Sequence, residues 1–220
     1  MTTRQKKVGE ASREATRRRV IDAAARTFLE NGYTATTVTA MARRAGVSVQ
    51  TLYLAVGGKP ALLRAVLEQA LRPPGGTADG GSGGPLGDDY RRGLRARAAE
   101  ARRGADDPRT RIRAIAHVYR GVAERAAPWW RLYRDAAATE PEIAADWDQL
   151  QLLRRGTLAA LLHDLPDAEL RPALTRDAAI DTVWAIASPE THDLLVERAG
   201  YTLDRYETWI GDTLAAALLP

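Results

Sequence analysis

Apolar side chains recur every three or four residues along most of the chain, and the period-two alternation typical of strands is nowhere sustained. This spacing predicts an all-α fold. Gly32 is expected to end the first helix, and Thr37 and Ser48 are expected to cap the next two. The predicted helices are Ser12–Asn31, Val38–Ala45, Ser48–Leu54 with its cap, Lys59–Leu71, Asp88–Arg103, Pro108–Ala126, Trp129–Ala138, Glu142–His163, Arg176–Ala187, Pro189–Arg198 and Leu203–Leu218.

A stretch rich in glycine and proline interrupts this pattern at residues 72–87, which read RPPGGTADGGSGGPLG. It contains almost nothing to bury, so we predict a linker and not a folded element. The linker separates a first domain at residues 12–71, preceded by a basic flexible arm at residues 1–11, from a larger helical domain at residues 88–220. Two helical domains are therefore expected.

The charges are divided unevenly between these two parts. Residues 1–72 carry 13 Lys and Arg against 5 Asp and Glu, a balance of +8, whereas the remainder carries 19 against 23, a balance of −4. A basic N-terminal third favours a polyanionic partner such as DNA. A solvated basic surface would give the same charge, so this feature alone leaves both interpretations open.

The composition argues against several kinds of chemistry. The absence of cysteine excludes disulfides, thiolate metal sites and cysteine nucleophiles, which agrees with a reducing cytosol. The three histidines are scattered without partners at metal-ligand spacing, and the GGSGG segment follows no strand, so it is not a phosphate loop. We therefore expect no enzyme, no metal and no cofactor.

The same sequence lacks targeting and membrane signals. Its first residues, MTTRQKKVGEASREATRRR, contain no apolar region of the kind that a secretory signal needs. No run approaches the roughly 18 apolar residues of a membrane span. A cytoplasmic protein with no membrane partner, associated with the nucleoid when bound to DNA, is expected.

The segment Val38–Tyr53 meets the physical requirements of a helix-turn-helix. Ala42 is small enough to let two helices cross closely, and Gly46 tolerates the positive φ of a sharp turn. Val47 and Leu52 then face the core. The side chains left pointing outward from the short third helix are Val49, Gln50, Thr51 and Tyr53. A helix of two turns with such a face suits a major groove.

Residues 15–63 resemble the DNA-binding domain of the tetracycline-repressor (TetR) family. The positions that carry this resemblance are Phe28, Gly32-Tyr33, Thr36-Thr37, Ala42, Ala45-Gly46-Val47-Ser48, Thr51-Leu52-Tyr53, Lys59 and Leu62-Leu63. The chain departs from the family pattern at Ala55 and Val56, where the family has an aromatic residue or histidine and then phenylalanine. Pro60 disfavours a helical Lys59, which predicts Lys59 as the cap and Pro60 as the first helical residue.

The resemblance implies a role in DNA binding for a specific set of side chains. Gln50 and Thr51 would reach base edges, with Gln50 able to pair with adenine. Tyr53 would contact a phosphate or a thymine methyl, and Lys59 would hold a phosphate. The complete implied set is Thr37, Arg43, Arg44, Ser48, Val49, Gln50, Thr51, Tyr53 and Lys59. Basic residues near the N-terminus would add non-specific attraction: Arg4, Lys6, Lys7, Arg17, Arg18 and Arg19.

The C-terminal sequence also resembles one large branch of this family, in which the last two long helices pair with their symmetry mates in a four-helix bundle. The final helix carries one apolar seam and a second apolar flank, which is more than one core contact requires. The expected dimerisation residues are Val183, Trp184, Tyr206, Trp209, Ile210, Thr213, Leu214 and Ala217. The alternative is a monomer that uses both stripes for its own core.

All five tryptophans occur at or after position 129. Together with nearby apolar residues, they predict an apolar cavity for a small apolar or aromatic effector, as the equivalent family helices enclose an inducer. The candidate residues are Tyr119, Trp129, Trp130, Tyr133, Trp147 and Leu150. Ordinary core packing is the alternative for each of them.

These features predict a three-helix helix-turn-helix DNA-binding domain followed by a larger helical domain for ligand binding and dimerisation. The expected function is sequence-specific regulation of transcription: a homodimer binds a pseudo-palindromic operator in double-stranded DNA, and a ligand releases it. The alternatives are a non-specific architectural DNA-binding protein and a small-molecule-binding module with a weakened DNA head.

Overall fold

A computed structural model of the chain describes residues 3–72, 96, 99–100, 103, 107–163 and 165–220. Within these ranges the regular secondary structure is entirely helical, which confirms the predicted fold class. The helices are α1 (Thr3–Ala35), α2 (Val38–Ala45), α3 (Val49–Ala55), α4 (Lys59–Leu71), α5 (Pro108–Ala137), α6 (Pro141–Leu162), α7 (Arg176–Ile186), α8 (Pro189–His192) and α9 (Leu203–Leu218). A 3₁₀ turn spans Asp167–Glu169, and a π-helical stretch spans Asp193–Arg198.

Two sequence-based predictions lie mostly outside the described residues: the linker at residues 72–87 and the helix Asp88–Arg103. Among the described residues, no helix combines the length and the apolar character that crossing a bilayer would require.

The first helix is longer than predicted. It begins at Thr3 and not at Ser12, so residues 3–11 continue α1 and do not form a separate arm. Gly32 interrupts the helical backbone near its end with φ 74° and ψ 174°, a conformation that suits glycine because it has no Cβ. The predicted stop at Gly32 is therefore visible, although the chain resumes helical hydrogen bonding as far as Ala35.

The predicted helix break before Pro128 is wrong. A single helix, α5, runs from Pro108 to Ala137 with Pro128 inside it. Proline at an interior position removes one helical hydrogen bond, at a cost of about 3 kcal/mol. Buried side chains on both sides of it, such as Ala126 and Trp130, offset that cost through their packing.

The chain forms two compact units that do not coincide with the two predicted domains. The first unit comprises residues 1–70 and 128–147, and the second comprises residues 71–127 and 148–220. Residues 128–147 were expected in the C-terminal domain. They associate instead with the N-terminal helices, and one visible reason is Arg64 of α4, which forms ion pairs with two carboxylates of α6.

The core of the first unit is built where α1 packs on α2 and α3. Its buried apolar side chains include Val20, Ala24, Phe28, Met41, Leu52, Leu62 and Leu63. The rings of Phe28 and Tyr33 stack with their centroids 5.7 Å apart, which secures the end of α1. This core holds the two short helices of the turn in place.

The core of the second unit is formed by α7, α9 and the parts of α5 and α6 that belong to it. Four of the predicted dimerisation residues are completely buried in this core: Val183, Tyr206, Ile210 and Leu214. These residues were expected to face a partner, whereas within the single chain α9 turns this stripe toward its own core. Arg154 closes the end of α7 by donating to the carbonyl oxygens of Trp184 and Ala187 at 2.8 and 2.9 Å.

Candidate nucleic-acid interface

The helix-turn-helix is built by local hydrogen bonds that the sequence supplies. The Thr37 hydroxyl accepts from the Ala40 amide at 3.1 Å and caps α2. Gly46 adopts φ 66° and ψ 37°, the left-handed conformation that reverses the chain after α2. The Ser48 hydroxyl accepts from the Thr51 amide at 3.0 Å and caps α3. Both predicted caps and the predicted turn glycine therefore have the conformations that the motif requires.

Helix α3 turns one leucine inward and exposes four of its other side chains. Leu52 is completely buried, whereas Val49 is 37%, Tyr53 53% and Leu54 82% exposed. Gln50 is also exposed. The outward orientation predicted for Val49, Gln50 and Tyr53 agrees with the structure. Leu54 was not among the predicted contact residues, although its place four residues after Gln50 puts both on one helix face.

Thr51 has a different environment from the one expected. Its side chain is half-buried, and its hydroxyl lies 2.8 Å from the hydroxyl of Ser48. The two hydroxyls at the start of α3 are therefore hydrogen-bonded to each other. To contact a base edge, the Thr51 hydroxyl would have to bind the DNA as well as, or instead of, the Ser48 hydroxyl.

The two arginines at the end of α2 differ in their surroundings. Arg44 forms a two-pronged ion pair with Glu30 of α1, and its Nη2 lies 2.5 Å from Glu30 Oε1. The hydrogen bond from Arg44 holds the pKa of Glu30 below its ordinary value. Arg43 is exposed and has no such partner among the described residues. Of the two, Arg43 is the one whose charge is available to a phosphate.

Lys59 is the first residue of α4, so the prediction of Lys59 as a non-helical cap is wrong. The helix starts there because the Gly58 carbonyl accepts from the Leu62 amide at 3.0 Å. The Lys59 ammonium lies 4.2 Å above the ring of Tyr33 and donates to the Thr34 carbonyl at 3.4 Å. Partial burial lowers the pKa of Lys59.

Arg17 of α1 holds the far end of α3. Its Nη1 donates to the Ala55 carbonyl at 3.2 Å, which satisfies one of the acceptors that a helix leaves open at its C-terminus. The sequence suggested only a non-specific phosphate contact for Arg17. Arg18 and Arg19 are exposed, while the side chains of Arg4, Lys6 and Lys7 lie outside the described part of the chain.

Three of the aromatic candidates for a ligand cavity pack against one another in the first unit. The ring of Trp147 lies edge-on to Trp130 at 5.5 Å and nearly parallel to Tyr133 at 6.5 Å. The Tyr133 hydroxyl donates to Asp146 Oδ2 at 3.1 Å, and Arg64 Nε donates to the same oxygen at 2.5 Å. Burial is the main cause of a raised pKa at Tyr133. The aromatic cluster of Trp130, Tyr133 and Trp147 is thus joined to α4.

The other three ligand candidates are also buried, and the ring contacts of the aromatic cluster do not include them. Trp129, also in the first unit, is 9% exposed. Tyr119 and Leu150 belong to the second unit, and both are buried there. Tyr119 is part of the apolar core that contains Ile112 and Tyr206, so core packing accounts for its burial.

Four of the predicted dimerisation residues stay partly exposed in the second unit. They are Trp184 on α7 and Trp209, Thr213 and Ala217 on α9. An open groove of about 520 Å³ runs along α9, lined by Tyr201, Asp204, Arg205, Thr208, Trp209, Asp212 and Thr213. Gly211 lets α5 approach the opposite side of α9, since a Cβ there would lie 3.3 Å from Arg113 Cγ.

Comparison with known proteins agrees with this geometry. Residues 20–66 match the family of bacterial regulatory proteins described as the tetR family, and this range contains α2 and α3 entirely. A comparison with curated protein sequences finds no significant match.

Solved structures with the same fold match nearly the whole chain. NalD of Pseudomonas aeruginosa, the secondary repressor of the MexAB-OprM multidrug efflux pump, is 18% identical with a TM-score of 0.66, covering 94% of this chain and 98% of its own. A TetR-family regulator from Mesorhizobium loti is 16% identical with a TM-score of 0.66, covering 93% and 95%. SmeT, solved as a complex with triclosan, is 20% identical with a TM-score of 0.66, covering 94% and 92%.

The capped turn, the exposed face of α3 and the family match over the same residues lead to one assignment. Residues 20–66 form a helix-turn-helix domain of the tetR family of bacterial regulatory proteins, and the chain as a whole has the fold of solved TetR-family regulators.

Proposed function

We propose that this regulator acts as a cytoplasmic homodimeric repressor that binds a pseudo-palindromic operator and is released by a small apolar or aromatic ligand. The observation that carries the proposal is the exposed face of α3, which presents Gln50 and Tyr53 on a capped two-turn helix. The +8 balance of residues 1–72 supplies the attraction to phosphates.

The proposed dimer uses the partly exposed stripe of α9 and not its buried stripe. Trp209 and Thr213 line an open groove, and Ala217 continues the same face one turn later. A two-fold axis through this face would present two copies of α3 to half-sites about 34 Å apart, or a multiple of that distance. Thr213→Arg should place two like charges at this axis and weaken self-association, as measured by sedimentation at several concentrations.

The proposed ligand response involves the aromatic cluster of the first unit. Trp147 packs on Trp130 and Tyr133, while Asp146, its neighbour in sequence, binds both Tyr133 and Arg64. A ligand that displaces these rings would change the position of Asp146 and hence of α4, the helix that follows the turn. Release then requires that the ligand prefer the arrangement that DNA does not. SmeT, bound to triclosan, supports an aromatic ligand as the first class to test.

The decisive experiment selects bound sequences from random DNA with the full-length protein, then screens small molecules for release of the selected duplex. A two-fold symmetric consensus, bound by a dimer and released by an apolar compound, is the expected result. Trp147→Ala should keep operator affinity near that of the parent while altering the concentration of ligand needed for release. The matched control is Leu152→Ala, since Leu152 is 63% exposed on the same helix and belongs neither to the aromatic cluster nor to the proposed dimer stripe of α9.

The alternatives predict different outcomes of the same experiment. A non-specific architectural protein would yield no consensus and a steep dependence of affinity on salt. A ligand-binding module with a weakened DNA-binding domain would bind small molecules but retain little DNA affinity even at low salt. Either outcome would contradict the proposed repressor.

A further inference from the structure

The exposed surface of α3 is unusually apolar for a surface that meets DNA. Helix α3 reads VQTLYLA and contains no charged residue. Three of its seven side chains are large, apolar and exposed, and Leu54 is the most exposed of them at 82%. A single exposed leucine on a protein surface needs no explanation. Three on a helix of two turns make much of its outward surface apolar.

The polar groups of α3 limit which base pairs this helix can recognise. Guanine is most often recognised by two hydrogen bonds from an arginine or lysine, and α3 supplies neither. Gln50 is exposed and matches the hydrogen-bonding edge of adenine. The partner of adenine is thymine, whose C5-methyl group is the one apolar feature in the major groove. An apolar face beside a glutamine therefore matches A·T pairs.

The structure separates the position of Leu54 from that of Tyr53. The ring of Tyr53 lies against Gly58, with Cε1 3.6 Å from where a Cβ of that glycine would be. This orientation directs Tyr53 toward the start of α4 and Lys59, on the side where a phosphate is expected. Leu54 lies four residues after Gln50, so it shares the face that Gln50 presents. Leu54 is therefore the apolar neighbour of the adenine-reading side chain.

The end of α3 is held so that this face has a defined position. Arg17 donates to the Ala55 carbonyl, directly after Leu54 in sequence. Leu52, on the opposite side of the helix, is fully buried. Fixing both the helix end and its inner face limits the rotation that would otherwise blur contact with a single methyl group.

We propose that Leu54 is a specificity-determining residue that reads a thymine methyl group next to the A·T pair contacted by Gln50, so that each operator half-site contains adjacent A·T pairs. The occupant of this apolar face is the major groove. The capped turn aims α3 outward, and the +8 balance of residues 1–72 attracts a polyanion and not an apolar protein partner. The inference rests on the proposed sequence-specific binding of an operator.

The test removes the methyl group from the DNA and the side chain from the protein. The operator is first selected from random duplexes with the full-length protein, and each thymine is then replaced singly by deoxyuridine, which lacks only the methyl. At one position in each half-site, loss of the methyl should weaken binding about fourfold, the value expected for burial of one methyl group. For Leu54→Ala, thymine and uracil duplexes should bind equally at that position.

Leu29→Ala is the matched control, because Leu29 lies on α1 in the same unit and is 55% exposed. It should keep the parent's preference for the methylated duplex. Since Leu54 is 82% exposed, Leu54→Ala should unfold like the parent, and a thermal melt checks that the variant is intact.

Each remaining outcome contradicts a different statement. A selected operator whose affinity ignores every thymine methyl, or a Leu54→Ala protein that keeps the full methyl dependence, would overturn the role of Leu54 alone. Half-sites without adjacent A·T pairs would do the same. A selection that returns no preferred sequence would instead contradict the proposed function on which the inference rests.

Discussion

Helix α3, the second helix of the helix-turn-helix, and the last helix α9 both carry apolar side chains on more than one face. The two helices differ in how many of these side chains are buried. In α3, Leu52 alone is fully buried, while Val49, Tyr53 and Leu54 remain at the surface. In α9, a complete stripe of Tyr206, Ile210, Leu214 and Leu218 is buried within its own unit. The second stripe of α9, which contains Trp209 and Thr213, is only partly covered.

The difference lies in how much local sequence constrains each helix. The capping hydroxyl of Ser48 and the positive φ of Gly46 set where α3 begins and how it leaves the turn. With seven residues, only Leu52 can then face the core. Helix α9 also has a cap, Thr202, but its sixteen residues carry Trp209 and Ala217 on a second face besides the stripe that is buried. A cap fixes the start of a helix and says nothing about which of two stripes meets the core.

The largest effect is expected on the buried stripe of α9. Leu214→Ala should lower the free energy of unfolding by about 2–5 kcal/mol, because it leaves a cavity in a fully packed core. Urea denaturation at a fixed protein concentration measures this loss. Thr213→Ala, one residue away on the partly exposed stripe, is the matched control and should change it by less than about 1 kcal/mol. Equal losses for both variants would remove the distinction between the two stripes.

A smaller effect, and one on binding instead of stability, is expected for the exposed face of α3. Tyr53→Ala should weaken operator binding by about 1–3 kcal/mol through loss of a phosphate or base contact. The measurement is a titration of the selected duplex at constant salt, with Leu29→Ala as the control for an exposed apolar residue outside the helix. Unchanged affinity of Tyr53→Ala would show that this face does not meet DNA.

The local orientation of α3 can be tested through its cap. Ser48→Ala removes the acceptor for the Thr51 amide and should cost about 1 kcal/mol of stability. Thr39→Ala, at an exposed position inside α2, provides a control that loses a hydroxyl without losing a cap. Thermal unfolding of both variants checks the difference. A Ser48→Ala protein as stable as the parent would mean that packing alone sets the start of α3.

The smallest effect on stability belongs to Leu54. Because its side chain is almost fully exposed, Leu54→Ala should change the free energy of unfolding by less than about 0.5 kcal/mol. Leu52→Ala, in the same helix, should cost about 2–5 kcal/mol. Denaturation of the pair under identical conditions gives the comparison. A large loss for Leu54→Ala would place this leucine in a core contact and contradict its assignment to the exposed face.

The sequence alone was sufficient to predict the helical class, the turn at Gly46, both caps and the outward orientation of Gln50 and Tyr53. Each of these depends on interactions within a few residues, whose energies are set by residue type and spacing. The same reasoning did not include Leu54 among the outward-facing residues of α3. Its 82% exposure is a property of the packed unit and has no counterpart in the spacing.

Only the tertiary structure decided which apolar surfaces meet. It turned Tyr206, Ile210 and Leu214 inward, carried α5 through Pro128, and joined residues 128–147 to the unit that contains the turn. Apolar burial has no direction and depends on the area removed from water, so the residues of a helix with apolar side chains on two faces do not by themselves decide which surface each face meets. Local hydrogen bonds have fixed geometry and can be read from neighbouring residues, whereas the choice of packing partner depends on side chains distant in sequence.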